Sequence, residues 1–539
     1  MRERNEMILA DLVQIRAEQK PDHDVLTFEH LSLDGGATPD EVRTYAELAT
    51  NGNRLAAALI ERGMQRGDRF ALMMRNHPEF VEAMIAASIT GCVTVPIDPR
   101  TKGDKLAFML RNAGCRGAVC GDYALAEILS AQKDNDDLGW ILALECGEDE
   151  RSIPLSSTSG VDSLAEALAK PASTVDVRLE DLNDPLQIIY TSGTTGDPKG
   201  VVFPNVRFGG FASVGLIAGY QPEDRPYTGL SLTHGNAQAV TLAPSLAMSL
   251  RAVFSRKFTK SKLWDVCREH GCTTFSLLGG MATAIYSEPK KPNDGDNPVR
   301  RVMSAGMPAA IWESFAERFQ VEILEWYGAV EGGLAFNPVG QGPMGSFGKP
   351  PPGLDMRVLD DNDVECAPHV QGEICSRPMD GSGADVEYHE NPDASAKKTR
   401  GGWLRSGDIG HTDEDGWLYF DYRKGGGIRH NGDFVNISFV EKAIAEAPSV
   451  TDVFIYGVEA ASGAPGEKDV VAAIVPTDSA SFSPDVVFEA CRAALESNFV
   501  PSYLQVVDEI PKTASEKPQE RFLLADFSTD AANVFTENR

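Results

Sequence analysis

The sequence predicts an α/β fold: a large N-terminal domain of stacked βα sheets carrying a β-rich subdomain, then a small mobile α+β C-terminal domain. Three observations predict it. Between residues 45 and 129, apolar stretches at helical spacing alternate with short apolar strands, the rhythm of βα units. From 345 to 422 the chain becomes rich in short strands and in Gly, Pro and Asp. At Gly425, Gly426 and Gly427 three glycines in a row favour no single backbone conformation, which marks a hinge or tight loop. Boundaries of 1–422 and 423–539 follow.

The elements justify this in order. Residues 46–62 have helical spacing and stop at Gly63; 69–74 is a short apolar strand; 78–90 is a helix ended by Gly91; 93–97 is another strand. Similar alternation runs through 208–318. Past the glycines, 439–447 predicts a helix, 450–457 and 470–476 strands, and 484–498 a helix. No repeat, heptad run or low-complexity tract interrupts the chain.

A chain of 539 residues is long enough for two or more domains. Its 42% hydrophobic and 24% charged residues are ordinary for a soluble globular protein. The most apolar stretch, 80–97, is interrupted by Glu82, Thr90 and Gly91, so no integral membrane segment is expected, and residues 1–11 do not read as a signal peptide. The nine cysteines form no CxxC pair: Cys115 and Cys120 stand five apart, as do Cys267 and Cys272. Reduced buried thiols in the cytoplasm are the expectation, rather than a structural zinc site. A formal charge of -29 repels polyphosphate backbones, so nucleic acid is not an expected partner. A small polyanionic ligand would instead require basic residues concentrated locally.

Residues 186–190 are an apolar strand running into Thr191, Ser192, Gly193, Thr194, Thr195, Gly196, Asp197, Pro198, Lys199 and Gly200. Four hydroxyls, three glycines and one lysine in ten residues supply backbone amides, side-chain donors and a mobile cation for phosphate oxygens. The spacing is neither a Walker A loop nor a dinucleotide fingerprint. This segment closely resembles the phosphate-loop signature of the adenylate-forming superfamily, which comprises acyl-CoA synthetases, nonribosomal-peptide adenylation domains and luciferases.

The resemblance extends in the family's order along 45–522. Trp326, Tyr327, Gly328, Ala329, Val330 and Glu331 resemble its Tyr-Gly-x-Thr-Glu motif, which implies that Tyr327 stacks on adenine and Glu331 holds magnesium; Val330 departs from the usual Thr. Gly306, Met307 and Pro308 are implied walls of the nucleotide and acyl sites. Asp408, in Arg405-Ser406-Gly407-Asp408, is the implied ligand of both ribose hydroxyls. Tyr419 and Arg423 are implied nucleotide contacts, Arg423 reaching the ribose or α-phosphate. Gly426 stands where the family places Asp or Lys at its pivot. Arg429 and Gly432 resemble the loop beside the pantetheine tunnel. Lys517 falls on the catalytic lysine, with Glu516 in place of a usual Gly and Lys512 as the competing lysine. With Lys517, the implied catalytic set is Glu331, Lys199 and Thr191.

The implied reaction is attack of a carboxylate on the ATP α-phosphate, then displacement of AMP by the CoA thiol, with ATP, Mg2+ and CoA as cofactors. His234, Gly235 and Asn236, together with Gly280, Met281 and Gly306, are implied to line the acid pocket. No Asp stands beside His234 to bind a substrate amine, which favours a plain organic acid over an amino acid. The C-terminal part resembles the carnitine/crotonobetaine-CoA ligase group. Two alternatives stay open: an enzyme loading a carrier protein in trans, and a nucleotide-binding protein that no longer catalyses, to which the Val330 and Glu516 departures point. A homodimer is compatible with either reading.

Overall fold

The computed structural model describes residues 3–191, 198–424, 428–430, 433–435, 437–447, 449–461, 468–495, 497–513 and 516–537. The expected phosphate-loop positions Ser192, Gly193, Thr194, Thr195 and Gly196, the three hinge glycines and Gly432 lie outside them. Contacts divide the chain into two compact units: Met1–Thr259 with Asp265–Ser276 and Asp385–Lys398, and Lys260–Trp264 with Leu277–Ala384 and Thr399–Arg539.

The first unit contains a seven-stranded sheet in the order Val161–Ser163, Trp140–Leu144, Cys115–Gly121, Arg69–Met73, Val93–Pro96, Pro185–Thr191, Lys199–Pro204. All neighbours are parallel except the last pair, which is antiparallel. Helical crossovers cover a parallel sheet, so its strands are buried. The helix Pro78–Thr90 is buried at every residue and stops at Gly91, whose φ of 70° is left-handed. Helix Tyr45–Glu61 starts with a reciprocal capping box between Thr44 and Glu47. These two helices cross closely because Gly52 leaves room: a Cβ there would lie 2.4 Å from Ile85 Cγ2. The buried carboxylate of Glu82 is held by Arg43 and Asn51, each at 2.8 Å. In the same unit Asp24–Glu29 pairs parallel with Ala252–Ser255 and antiparallel with Glu41–Thr44, while Pro226–Thr228 pairs parallel with Ala252–Ser255.

In the second unit Arg301–Ala305 runs parallel to Glu322–Ala329, which returns antiparallel through Gly332–Asn337. The expected β-rich region is a five-stranded antiparallel sheet in the order Ser346–Gly348, Leu418–Arg423, Leu404–Thr412, Gly372–Pro378, Leu354–Leu359. The C-terminal part forms a sheet of Val450–Glu459, Lys468–Pro476, Tyr503–Val506 and Val534–Thr536, with helices Ile437–Ala445 and Pro484–Ala494 packed around Val440, Ile444, Val453, Ile474 and Phe488. The last helix ends four residues short of expectation, because the backbone at Leu495 turns extended. All nine cysteines are free. No helix among the described residues is long and apolar enough to cross a membrane.

Candidate active site

The structure gathers five expected site residues of the second unit into one electrostatic cluster. Tyr327, near the end of strand Glu322–Ala329, donates its hydroxyl to Asp408 Oδ2 at 2.5 Å, and Arg423 donates from Nη1 to Asp408 Oδ1 at 2.5 Å. Asp408 and Arg423 face each other in register across Leu404–Thr412 and Leu418–Arg423, so the antiparallel pairing itself sets this contact. Asp408 is only 8% exposed. A carboxylate has about four acceptor positions, and Tyr327 and Arg423 take two, leaving two for a vicinal diol. One face of the Tyr327 ring stacks on Phe347 with centroids 4.5 Å apart, so only the other face is left for a second aromatic.

Lys517 completes the cluster. Water reaches the residue, but the surrounding protein displaces enough of it to lower the ammonium's pKa; Asp408 opposes that shift, Arg423 adds to it and Glu331 opposes it. Arg423 also lies within electrostatic reach of Tyr327 and Glu331. Lys512, the competing lysine, is committed elsewhere: its Nζ is 2.6 Å from Asp452. The loop holding Lys517 is closed by Thr513 N to Lys517 O at 2.8 Å and Lys517 N to Thr513 Oγ1 at 3.2 Å. Glu516 has φ of 56°, a left-handed conformation that glycine adopts without strain and other residues adopt at about 1–2 kcal/mol. This gives the expected glycine-to-glutamate departure a conformational reason beyond charge. Gly280 abuts this loop, where a Cβ would stand 3.4 Å from Glu516 O.

Glu325 was not anticipated. It is 3% exposed, and its carboxylate accepts from the backbone amides of Gly306 and, at 3.1 Å, Met307. Gly306 needs its φ of 100° and sits against Gly279, so the 306–308 turn is pinned at its start by a buried acid. Burial pushes the Glu325 carboxyl up to about 8, against the two amide donors. The available signal was an acid interrupting the apolar run of 323–326. Because the folded pKa is raised, Glu325 contributes stability in full below its ordinary value, and that contribution is lost as pH rises toward 8. Glu325→Gln is expected to remove up to about 1.4 kcal/mol per pH unit of this fall between pH 6 and 8, read as a flatter denaturation midpoint against pH than the parent's. Parallel curves would remove Glu325 as the titrating group.

Other expected residues fall outside this contact set. The Tyr419 hydroxyl bonds Asp413 at 3.1 Å and its ring stacks on His411 at 4.8 Å, so its contacts lie within the β subdomain. Trp326 and Met307 are buried, Pro308 and Val330 half-buried, and Arg429 exposed on a two-residue strand. Met281 is buried in the helix Gly279–Tyr286.

In the first unit, Thr191 pairs with Lys199 across the strands that enter and leave the phosphate-loop segment. Lys199 Nζ lies 5.6 Å from the centre of the Tyr388 ring. The strand Lys199–Pro204 is held by backbone bonds from Val202 to Glu387 and from His389 to Gly200. His234 Nδ1 accepts from the Asn236 amide at 3.2 Å, Gly235 lying between them. Gln238, just beyond, exchanges side-chain hydrogen bonds of 2.7 and 3.1 Å with Gln187 on the strand leading to Thr191. One buried amide pair therefore ties the helical stretch after His234 to the strand that ends at Thr191.

A half-buried tyrosine stacked on one face only by Phe347, an acid able to take a diol, and cations gathered in a chain of net charge -29 fit an α/β enzyme that handles a nucleotide. Comparison with known proteins agrees. The family model described as AMP-binding enzyme matches residues 13–380, and that of the AMP-binding enzyme C-terminal domain matches 440–517: the chain belongs to the AMP-binding enzyme family. It is 28% identical over 483 residues to a crotonobetaine/carnitine--CoA ligase of Salmonella typhimurium, covering 88% of this chain and 91% of the relative. Among solved structures it is similar in fold to the anthranilate CoA ligase AuaEII in complex with anthranoyl-AMP, with a TM-score of 0.81 at 21% identity and 96% of each chain covered. A benzoate CoA ligase from Burkholderia xenovorans gives a TM-score of 0.78 at 20% identity, covering 96% of this chain and 99% of the other.

Proposed function

We propose that this protein is an ATP-dependent carboxylic acid:CoA ligase that forms an acyl-adenylate and then an acyl-CoA thioester, releasing pyrophosphate and AMP. The observation that carries the reading is Lys517, whose ammonium lies within electrostatic reach of Asp408, Arg423 and Glu331 although it stands far along the chain. The family membership and the CoA ligases among the relatives support it.

A carboxylate is a poor electrophile because its charge is delocalised and its oxygen leaves badly. Attack by a carboxylate oxygen on the α-phosphate breaks the α–β anhydride bond, releases pyrophosphate and makes that oxygen part of an AMP leaving group, so the protein's task is to position reactants and neutralise charge. Asp408 takes the ribose hydroxyls, Tyr327 offers its open face to adenine, Arg423 and Lys517 face the α-phosphate, and Thr191 to Lys199 hold the β- and γ-phosphates. A half-exposed carboxylate offers a hard oxygen donor, so Glu331 would hold magnesium, which would neutralise triphosphate charge. Residues 1–422 act as the adenylating domain and 423–539 as a lobe that turns near 425–427 between half-reactions. In the present arrangement that lobe is joined to the helix Gly279–Tyr286 and its surroundings: Tyr286 bonds Glu446 at 2.9 Å, and Lys260 and Ser287 bond Thr451 O at 2.8 and 3.0 Å. Free thiols fit work in the cytoplasm.

Pyrophosphate exchange across short, branched, aromatic and long acids tests the reading. Exchange with at least one class, followed by thioester formation with CoA, is expected. Thioester on a purified carrier protein but not on CoA would favour carrier loading, and no exchange with any acid would favour a nucleotide-binding protein.

A further inference from the structure

The helical stretch that follows His234 hides polar groups that find no partner. Asn236 is 4% exposed, yet neither its side-chain oxygen nor its nitrogen is hydrogen-bonded among the described residues. Thr241, 1% exposed, has an unbonded hydroxyl as well. Ala237–Leu242, which Asn236 precedes and which contains Thr241, is a π-helix, a rare form that recurs at functional sites; its i to i+5 repeat sets Thr241 about one turn beyond Asn236. A buried amide left unpaired costs about 1–3 kcal/mol per group, and folded proteins keep such groups mainly where a ligand or ordered water completes them. Neighbouring Gln238 shows the contrast, since its carboxamide is fully engaged with Gln187 and Leu232 O.

We propose that the acid activated here carries an uncharged hydroxyl group that Asn236 receives, with Thr241 as the second polar group of that subsite. This rests on the ligase reading above and narrows its substrate class. A hydroxyl both donates and accepts, so one group satisfies Asn236 Oδ1 and Nδ2 together, whereas a carbonyl would leave the oxygen unpaired and a hydrocarbon would leave both. A charged tail is disfavoured: residues 229–250 contain no Asp, Glu, Lys or Arg, and a buried ion without a counter-ion is expensive. The carnitine and crotonobetaine named for the Salmonella relative carry a fixed positive charge, so the two proteins should differ in tail preference.

The test is pyrophosphate exchange with a set of neutral acids, each paired with its monohydroxylated counterparts, and with carnitine and crotonobetaine. At least one hydroxy acid is expected to exceed its parent by about 10²-fold or more in kcat/KM, since sites built to bond a hydroxyl discriminate strongly against its absence. Asn236→Leu should bring that ratio near unity, and Asn236→Asp should raise activity on the cationic acids relative to neutral ones. Because Asn236→Leu could misfold, its melting temperature is measured alongside, and the wild-type ratio and the Asp variant decide independently. Parent acids used as well as their hydroxylated partners by the wild type would overturn the proposal and assign water to Asn236. Exchange with none of the acids would instead sink the ligase reading on which it rests.

Discussion

Lys517→Ala is expected to lose adenylate formation by about 10²–10³-fold or more in kcat, while transfer of an acyl group from supplied adenylate to CoA stays within a few-fold of the parent. The argument begins with charge. In the first half-reaction a carboxylate approaches a triphosphate, and two anions must be held together as negative charge develops. Lys517 supplies its cation within electrostatic reach of Asp408, Arg423 and Glu331, where the surrounding protein lowers the ammonium's pKa. In the second half-reaction the leaving group is already installed and the attacking thiol meets a neutral acyl carbon, so the same cation is not required. Its lowered pKa adds a second readout. The alkaline fall of adenylation should occur below the ordinary lysine range and should disappear in Lys517→Arg, which stays charged. Equal loss of both half-reactions would remove the role assigned to Lys517, and Lys512, bound to Asp452, would not replace it.

The second large effect belongs to Asp408. Asp408→Ala removes the acceptor shared by Tyr327 and Arg423 and the proposed partner of the ribose hydroxyls. Hydrogen bonds to a charged group are worth about 1.5–3 kcal/mol each, so the loss of two to ribose predicts a fall of about 10²-fold or more in kcat/KM for ATP. The loss should appear chiefly in the KM for ATP with kcat little changed, because ribose is held in ground and transition states alike. Asp408→Asn keeps acceptor capacity on one oxygen only and should fall between the two. A KM for ATP unmoved by either variant would place the ribose elsewhere.

Much of the site was legible because its pieces are local. A hydroxyl- and glycine-rich loop between two strands, an aromatic ahead of Glu331 and a lysine at 517 each carry their chemistry within a few residues. Their order along the chain identified the family. The helix Pro78–Thr90 was readable to the residue, since proline opens it and a left-handed glycine closes it. The helix beginning at Pro484 was overrun, because nothing local in Leu495 announces its extended backbone.

What the sequence alone determined was the inventory: an α/β chain, a β-rich region over 345–422, a compact α+β end, and the residues able to handle a nucleotide. Only the tertiary structure decided which of them meet. Asp408 finds Arg423 through strand register, and Lys517 reaches them across about a hundred residues of intervening chain. Glu325 becomes a buried pin for Gly306 because two parallel strands bring distant segments side by side. Asn236 becomes conspicuous only once its surroundings are seen to leave it unsatisfied. The physical reason is the same in each case: residue type sets what a group can do, whereas burial and partners, which set its charge state and its need for a ligand, arise from contacts remote in sequence.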